Sequence, residues 1–278
     1  MFVVLCFFGE PGSAPQQAPP AIGARILIMP RQVVSGERAT LAVLDVNGRL
    51  TPGVTVRFSN GERLKTDTTG RARFVASLNP GILFGSIEGR PGRVPMVVLS
   101  RAEAGSPAID VASAPRLAST TDRFEISGHG FCGDADANQV TIGNEPALVL
   151  AASPATLVVL PPTEIEPGQL TVRVSCAKHE ATSFSMMLVG LELEADSAAL
   201  GPGDVRQLTV RVKGTTTKVS LEARNLAPEI AELRGGNPMR QASSGGADNT
   251  ARFEVVGRQK GSFLVSIRLL PSIGKPRS

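Results

Sequence analysis

Apolar and polar residues alternate over short stretches along most of this chain. Four of these stretches follow one another near its start: ARILIMP (24–30), ATLAVLDV (39–46), GVTVRFS (53–59) and ARFVASL (72–78). A repeat of two residues is typical of β-strands with one buried face. Asn-Gly pairs and a Thr-Thr-Gly triplet separate the stretches, as hairpin turns do. The pattern predicts an all-β fold, with the segment 45–53 as two closely spaced turns.

The same pattern of short strands and turns continues through the rest of the chain. Only APEIAELR (227–234) also fits a helical turn, and the segment 234–250 has no apolar period and is predicted to be a long exposed loop. A weak repeat of GERATLAV (36–43) as GDVRQLTV (203–210) favours equivalent structural units. We predict a leader, three tandem β-sandwich domains and a tail, at 1–20, 21–103, 104–189, 190–274 and 275–278.

The two predicted domain junctions differ in sequence. SRAEAGSP (100–107) is small and polar, which predicts a short hinge and an extended molecule. MMLVGLELEA (186–195) is a continuous strand pattern that runs from the second domain almost directly into the third.

Charge is unevenly distributed over the chain. The formal charge is +6 over 22–100, −5 over 105–190 and +4 over 191–278. The chain contains no Trp and no Tyr, and its basic residues do not form a block, so a nucleic-acid partner is not expected. The alternating sign permits contacts between neighbouring domains or neighbouring molecules.

The first twenty residues, MFVVLCFFGEPGSAPQQAPP, contain an apolar run that is too short to span a bilayer. The run is followed by small residues, as in a secretory leader, although no basic residue precedes it. We interpret the segment as a leader whose start is truncated; the alternative is an unstructured N-terminal tail. No transmembrane segment is expected, and the predicted location is extracellular, periplasmic or at the cell surface.

Two blocks resemble known families. The first, over 25–99, is similar to the bacterial immunoglobulin-like domain of the invasin and intimin group, on Asp45-x-Asn47-Gly48, PGVTVRF (52–58) and TDTTGRA (66–72). The second resembles an IPT/TIG domain, on ISGHGF (126–131), VTIGNEPALVL (140–150), ATLVVLPP (155–162) and LTVRV (170–174). The third block is generically immunoglobulin-like. The resemblances imply three immunoglobulin-like sandwiches that act as spacers, adhesive modules or partner-binding domains.

A disulfide between Cys132 and Cys176 follows from the immunoglobulin-like arrangement. In such a sandwich the second and sixth strands end at the same pole, and these two cysteines follow those strands. Loss of the leader would remove Cys6 and leave an even count, which suits an oxidising compartment. Two free buried thiols, or a pair of metal ligands, are the alternatives.

Candidate binding residues lie in the two loops at that pole, 128–138 and 176–182. They are His129, Asp134, Asp136, Lys178 and His179. The stretch DADANQVTIGNE (134–145) places acids and Asn at positions of a calcium loop, but Gln139 stands where that loop requires Gly, so a solvated acidic loop is the preferred interpretation.

No catalytic motif was found in the sequence. It has no G-x-S-x-G elbow, phosphate loop, dinucleotide fingerprint or zinc motif, so no catalytic residue, metal or cofactor is expected. The predicted function is that of a non-catalytic envelope or extracellular protein that displays, spaces or adheres through its sandwiches, with a protein or envelope component as partner. The alternative is an accessory glycan-binding module, which the lack of Trp and Tyr disfavours.

Overall fold

The computed structural model describes residues 24–105, 108–176, 179–195, 200–270 and 272–274. Within these ranges every regular element is a β-strand except one short 3-10 helix, Ala135–Ala137, so the all-β prediction is confirmed. The predicted leader and the tail at 275–278 lie outside the described residues.

The first sandwich consists of two sheets, β1-β3-β6 and β2-β8-β7-β4-β5. Phe58 and Phe74 come from opposite sheets and meet in its core, with their ring centroids 5.2 Å apart. The strands are β1 (Ile26–Ile28), β2 (Gln32–Val34), β3 (Arg38–Leu44), β4 (Thr55–Phe58), β5 (Arg63–Lys65), β6 (Arg71–Val75), β7 (Gly81–Ile87) and β8 (Val94–Leu99).

The segment between β3 and β4 forms the turns that its sequence predicts. The Asp45 carboxylate accepts hydrogen bonds from the amides of Asn47 and Arg49, each at 2.9 Å. Gly48 and Gly53 have φ of 76° and 72°, a region that glycine enters without steric cost. This stretch is therefore a compact corner between strands.

The middle sandwich consists of two packed sheets, β12-β13-β10-β9 and β12-β11-β14-β15-β9. Strands β9 and β12 appear in both sheets because each of them pairs with one neighbour in either sheet. Its core includes Ile126, Ile142, Leu157 and Met186, all fully buried. The strands are β9 (Asp110–Ser119), β10 (Phe124–His129), β11 (Asn138–Ile142), β12 (Glu145–Ser153), β13 (Thr156–Leu160), β14 (Gly168–Cys176) and β15 (His179–Ala195).

The third sandwich packs β18-β20-β16-β15 against β19-β17-β21 around Phe253 and Leu221. The segment 227–234 is a turn followed by strand β18, and the predicted long loop at 234–250 contains an edge strand, β19, that pairs with β17. The loop prediction was wrong at Met239–Ala242, because the residues of β19 are polar or half exposed and show no apolar repeat, whereas 234–238 and 243–249 contain no regular element. The strands are β16 (Val205–Lys213), β17 (Ser220–Asn225), β18 (Ala231–Leu233), β19 (Met239–Ala242), β20 (Thr250–Gly257) and β21 (Val265–Leu269), and they are followed by β22 (Ser272–Gly274), which pairs with the middle sandwich.

One strand connects the middle and third sandwiches. The N-terminal part of β15 pairs with β14 and β9, and from Gly190 onward it pairs with β16. Strand β22 then returns from the third sandwich to pair with β9 of the middle one. The predicted domain boundary at 189/190 thus falls inside a continuous strand; the boundaries themselves stay a prediction.

The first and middle sandwiches pack side by side. Ile28, Ala42 and Leu44 form a buried apolar cluster with Leu150, Ala151 and Val158. A ladder pair between Thr40 and Ala152 also links β3 to β12. Because these contacts hold the first two sandwiches side by side, they contradict the extended arrangement that was expected from a short hinge at 100–107.

Candidate functional site

At the predicted pole of the middle sandwich, one loop is held by a disulfide and by the hydrogen bonds of a buried side chain. A disulfide joins Cys132 to Cys176, with the Cα atoms 5.7 Å apart. The buried Asn138 side chain donates to the carbonyls of Cys132 and Asp134, both at 2.8 Å, and accepts from the Cys132 amide at 2.9 Å. The disulfide that the sequence predicts is thus present, and it closes a loop of defined shape.

The acidic residues of this loop face the first sandwich. Asp136 contacts Arg71 at 3.0 Å, and Arg73 contacts Asp134 at 3.1 Å and Asp136 at 3.5 Å. A side chain on Gly133 would collide with the backbone carbonyl of Arg38, so the two sandwiches approach closely here. The predicted candidates Asp134 and Asp136 therefore contact the chain's own first domain, and a role toward an external partner stays a prediction.

Arg71 is the most buried cation of this junction. Its side chain is 9% exposed, and it donates through Nη1 to Asp136 and through Nη2 to the Val149 carbonyl at 2.8 Å. A buried arginine is stable only when it is paired and hydrogen-bonded. Some of the basic groups of the first block and the acidic groups of the second block thus form ion pairs between the first and middle sandwiches.

Among the other predicted candidates, the structure describes the side chain of His129 alone. His129 lies at the end of β10, where its Nδ1 is 2.9 Å from the Ala108 carbonyl and its Nε2 is 3.6 Å from the Asp110 carboxylate. His179 begins β15 as the register partner of Cys176. Lys178 lies outside the described residues.

The residues of the calcium-like pattern do not converge. Asn138 binds backbone atoms of its own loop, and Glu145 is exposed at the start of β12. Within the described ranges no group of three or more His, Cys, Asp or Glu side chains is placed to hold a metal ion.

A cleft of about 700 Å³ lies where the three sandwiches meet. Its floor is formed by β9 and β10 of the middle sandwich, including Ser113, Pro115 and Ser127. Arg31 and Gln32 of the first sandwich line one side, and Ser266 and Arg268 of β21 line the other. No sequence signal predicted this cleft, because its walls come from three separate blocks.

Glu125 is the titratable group of the cleft with the clearest perturbation. Its carboxylate oxygens lie 2.9 and 3.0 Å from Nε of Arg31. Burial raises the pKa of the Glu125 carboxyl above its usual value, and the charges of Arg31 and Arg123 oppose that rise only in part. The carboxylate is thus partly desolvated at the junction of two domains.

Glu222 joins two arginines on the outer face of the three-stranded sheet of the third sandwich. It is the register partner of Arg240 on β19 and of Arg268 on β21. Its carboxylate accepts from Arg240 at 2.9 Å and from Arg268 at 2.5 and 3.0 Å. The hydrogen bond from Arg240, assisted by Arg268, lowers the pKa of Glu222 although burial opposes it. This ladder fixes Arg268 at the edge of the cleft.

A second surface feature lies on the outer face of the first sandwich, on its five-stranded sheet. Ile82 and Val97 are cross-strand partners that are 66% and 39% exposed, and Phe84, 38% exposed, lies opposite Pro95. The next strands, β4 and β5, present Arg57, Arg63 and Lys65 on the same face. We call this surface, with Ile82, Phe84, Pro95 and Val97 at its centre, the apolar face.

The lateral junction between the first and middle sandwiches has a signal in the sequence. The runs LAVL (41–44) in β3 and LVVL (157–160) in β13 are apolar at every position, as in strands buried on both faces. In β3, residues 39, 41 and 43 fill the first core, and residues 42 and 44 fill the junction. Continuous apolar runs thus indicate the lateral junction.

One family model matches the middle sandwich. The family model of the IPT/TIG domain matches residues 112–188, which confirms that resemblance. The invasin and intimin type of the first sandwich stays a prediction. A search of curated proteins finds no match to the chain.

Several solved structures are similar to parts of the chain. SGBP-B of the Bacteroides ovatus mixed-linkage glucan utilization locus, solved with a mixed-linkage heptasaccharide, is 13% identical over 91% of this chain and 75% of its own, with a TM-score of 0.32. The plexin A4 extracellular region is 12% identical over 88% of this chain and 22% of its own, with a TM-score of 0.29. Domains 4–9 of the surface layer protein SbsC are 10% identical over 92% and 50%, with a TM-score of 0.25. These TM-scores are too low to assign the chain the overall fold of any of the three.

Among the described residues, no helix has the length and apolar character needed to cross a membrane.

Proposed function

We propose that this chain is a non-catalytic protein of the cell envelope or extracellular space that binds an acidic protein partner through the apolar face of its first sandwich. The IPT/TIG match and the immunoglobulin-like architecture support a binding or structural role. The disulfide supports an oxidising compartment, since such bonds persist outside the cytosol.

The observation that carries the proposal is the exposure of the apolar face. Its exposed apolar residues form direct cross-strand pairs, so they make one contiguous patch instead of scattered single residues. A contiguous exposed patch with an aromatic residue, rimmed by polar groups, is typical of a protein-binding surface.

The charges beside the patch favour a partner with an acidic surface. Arg57, Arg63 and Lys65 lie next to it, and the only anion paired with them in the described part of the chain is Glu88, 3.5 Å from Arg63. An acidic surface with an apolar centre is complementary to this arrangement and would associate faster at low salt.

Site-specific photo-cross-linking in the native organism tests the proposal. A photoreactive residue replaces Ile82 in one strain and Leu226, an isolated exposed residue of the third sandwich, in a control strain. We expect a discrete protein adduct from position 82 alone. The adducted protein is then identified and purified, and its binding to the full chain is measured.

Two variants separate apolar from charged contributions. Ile82→Lys removes the apolar contact and keeps the positive field, whereas Ile82→Glu also repels an acidic partner. We expect about tenfold weaker binding for Ile82→Lys, a greater loss for Ile82→Glu, and weaker binding of wild type at higher salt. Equal adducts at both positions, or adducts only with lipid or with a second copy of the chain, would contradict the proposal.

A further inference from the structure

The cleft between the three sandwiches has the size of a small-molecule site. Pockets that hold small ligands are commonly about 300–1,000 Å³, and this cleft is about 700 Å³. Each sandwich contributes one arginine to it: Arg31, Arg123 and Arg268, in chain order. The complete site therefore exists only when the domains are assembled.

Two of these arginines are held in place before any ligand arrives. Glu125 accepts from Nε of Arg31, and Glu222 accepts from Nε and Nη2 of Arg268. The side chains remain 76% and 60% exposed. In the described part of the chain these bonds leave both Nη groups of Arg31 and the Nη1 group of Arg268 as donors. A guanidinium that is already oriented loses less entropy when it binds a second anion.

The uncharged residues of the lining are serines, apolar residues and Gln32. Ser113, Ser127 and Ser266 supply hydroxyl groups, and Pro115 and Leu117 supply apolar surface. Phe124, the aromatic residue of the lining, is only 7% exposed and has no free ring face for stacking. Recognition here depends on charge and hydrogen bonds.

The charge of the lining favours a single negative charge on the ligand. Three arginines face two acids, Asp122 and Glu125. A planar carboxylate accepts paired hydrogen bonds from a guanidinium. A monoanion neutralises the net formal charge of +1 of this lining, whereas a phosphate dianion would leave a net negative charge in the cleft.

We propose that this cleft binds a small ligand that carries a carboxylate group. The carboxylate is bound by Arg268 and Arg123, and the rest of the ligand contacts the serine hydroxyls and Arg31. The carboxylate has two possible sources, an acidic sugar or an acidic amino-acid side chain. The cleft adjoins the apolar face where Gln32 pairs with Val97, but the side chains tested for each proposal differ, so either proposal can fail alone.

Titration of the full chain with matched probes, followed by NMR, tests this inference. Glucuronate is compared with glucose, and N-acetyl-glutamate amide is compared with N-acetyl-glutamine amide. Inorganic phosphate is the fifth probe. We expect at least one carboxylate probe to bind with a Kd of about 1 mM or tighter, the affinity typical of a ligand with few atoms. The probe that binds more tightly identifies the source of the carboxylate.

Three variants locate the binding. Arg123→Gln and Arg268→Gln should each weaken it at least fivefold. Arg252→Gln, an exposed arginine of β20 outside the cleft, should leave the Kd unchanged. Arg123 is exposed, so Arg123→Gln is expected to fold normally and still tests the cleft if Arg268→Gln misfolds. Four results would overturn the inference: no carboxylate binding, equal binding of the neutral probes, tighter binding of phosphate, or unchanged affinity in both cleft variants.

Discussion

The two domain junctions of this chain are built in different ways. The middle and third sandwiches share strand β15, whose backbone pairs with β14 on one side of Gly190 and with β16 on the other. The first and middle sandwiches are instead connected by a small polar linker and pack laterally through an apolar cluster and a buried arginine. One junction is part of the backbone ladder, and the other is a contact between surfaces.

This difference determines what each junction tolerates. Side chains alternate between the two faces along a shared strand, so a shift of one residue in its first part reverses every face in its second part. The residues that β15 buries in the third core therefore depend on its register in the middle sandwich. In a lateral contact, the linker length has little influence, and the side chains at the interface carry the stability. The predictions below test this contrast, from the largest expected effect to the smallest.

A one-residue insertion distinguishes the junctions most sharply. Inserting Ala between Val189 and Gly190 turns buried residues of β15 such as Leu191 toward solvent, so we expect a loss of more than about 4 kcal/mol in the free energy of unfolding. The same insertion between Ala104 and Gly105 should change it by less than about 0.5 kcal/mol. Denaturant unfolding of both variants measures this. Similar losses of unfolding free energy at both sites would show that the two junctions do not differ in their tolerance of an insertion.

The disulfide should have the next largest effect. It closes a loop with a sequence separation of 44 residues, for which the chain-entropy model gives about 4 kcal/mol. We expect the Cys132→Ser/Cys176→Ser variant to lose about that much stability and to weaken the contact of Asp134 and Asp136 with the first sandwich. Thermal unfolding with small-angle scattering detects both changes. Intact mass after alkylation without reduction must show no modified thiol at these positions in the wild type.

A charge in the lateral apolar cluster should separate the first two sandwiches. Leu150 is fully buried there, and Leu150→Lys introduces an uncompensated ammonium at a cost of about 3 kcal/mol. We expect a larger radius of gyration and a separate unfolding transition for the first sandwich. Leu148→Lys, at a 43% exposed position of the same strand, is the control. An unchanged radius of gyration in Leu150→Lys would mean that other contacts hold the first two sandwiches together without the apolar cluster.

The exposed ion pair of the lateral junction should contribute least. Burial raises the folded-state pKa of Glu125, so its favourable contribution is present below the unfolded glutamate pKa, about 4.3, and is lost as the pH rises through the higher folded value. Glu125→Gln should therefore match or exceed the wild-type Tm at pH 7, by up to about 2 °C, with a smaller difference at pH 4. Thermal scans at several pH values measure this, with Glu145→Gln as the control. A lower Tm at pH 7 would show that the pair with Arg31 outweighs burial.

Much of the fold follows from local patterns. The two-residue repeats and turn residues place most strands, and the spacing of Cys132 and Cys176 after two strands of a sandwich accounts for their pairing. Strand β19 was missed because MRQA has no apolar repeat, and its position depends on β17 and on Arg240 contacting Glu222.

The candidate sites are less accessible to such reasoning. Asp134 and Asp136 are acidic and close to the disulfide, and those properties alone do not distinguish a ligand loop from a domain contact. Only the placement of Arg71 and Arg73 opposite them makes that distinction. The apolar face is visible once the register of β7 and β8 is known, because the exposed side of each strand follows from its alternation.

The sequence by itself determined most of the β-strands and the turns, because these depend on interactions between residues a few positions apart, and its family resemblances indicated the immunoglobulin-like class. The apolar runs of β3 and β13 indicate strands that are buried on both faces, but only the tertiary structure decided that the first sandwich docks on the second and that a cleft forms among all three. Those features depend on contacts between residues about a hundred positions apart, such as Thr40 with Gly133 and Arg31 with Glu125. No local repeat encodes such contacts, since the energy of a lateral junction is gained only when two complete surfaces meet.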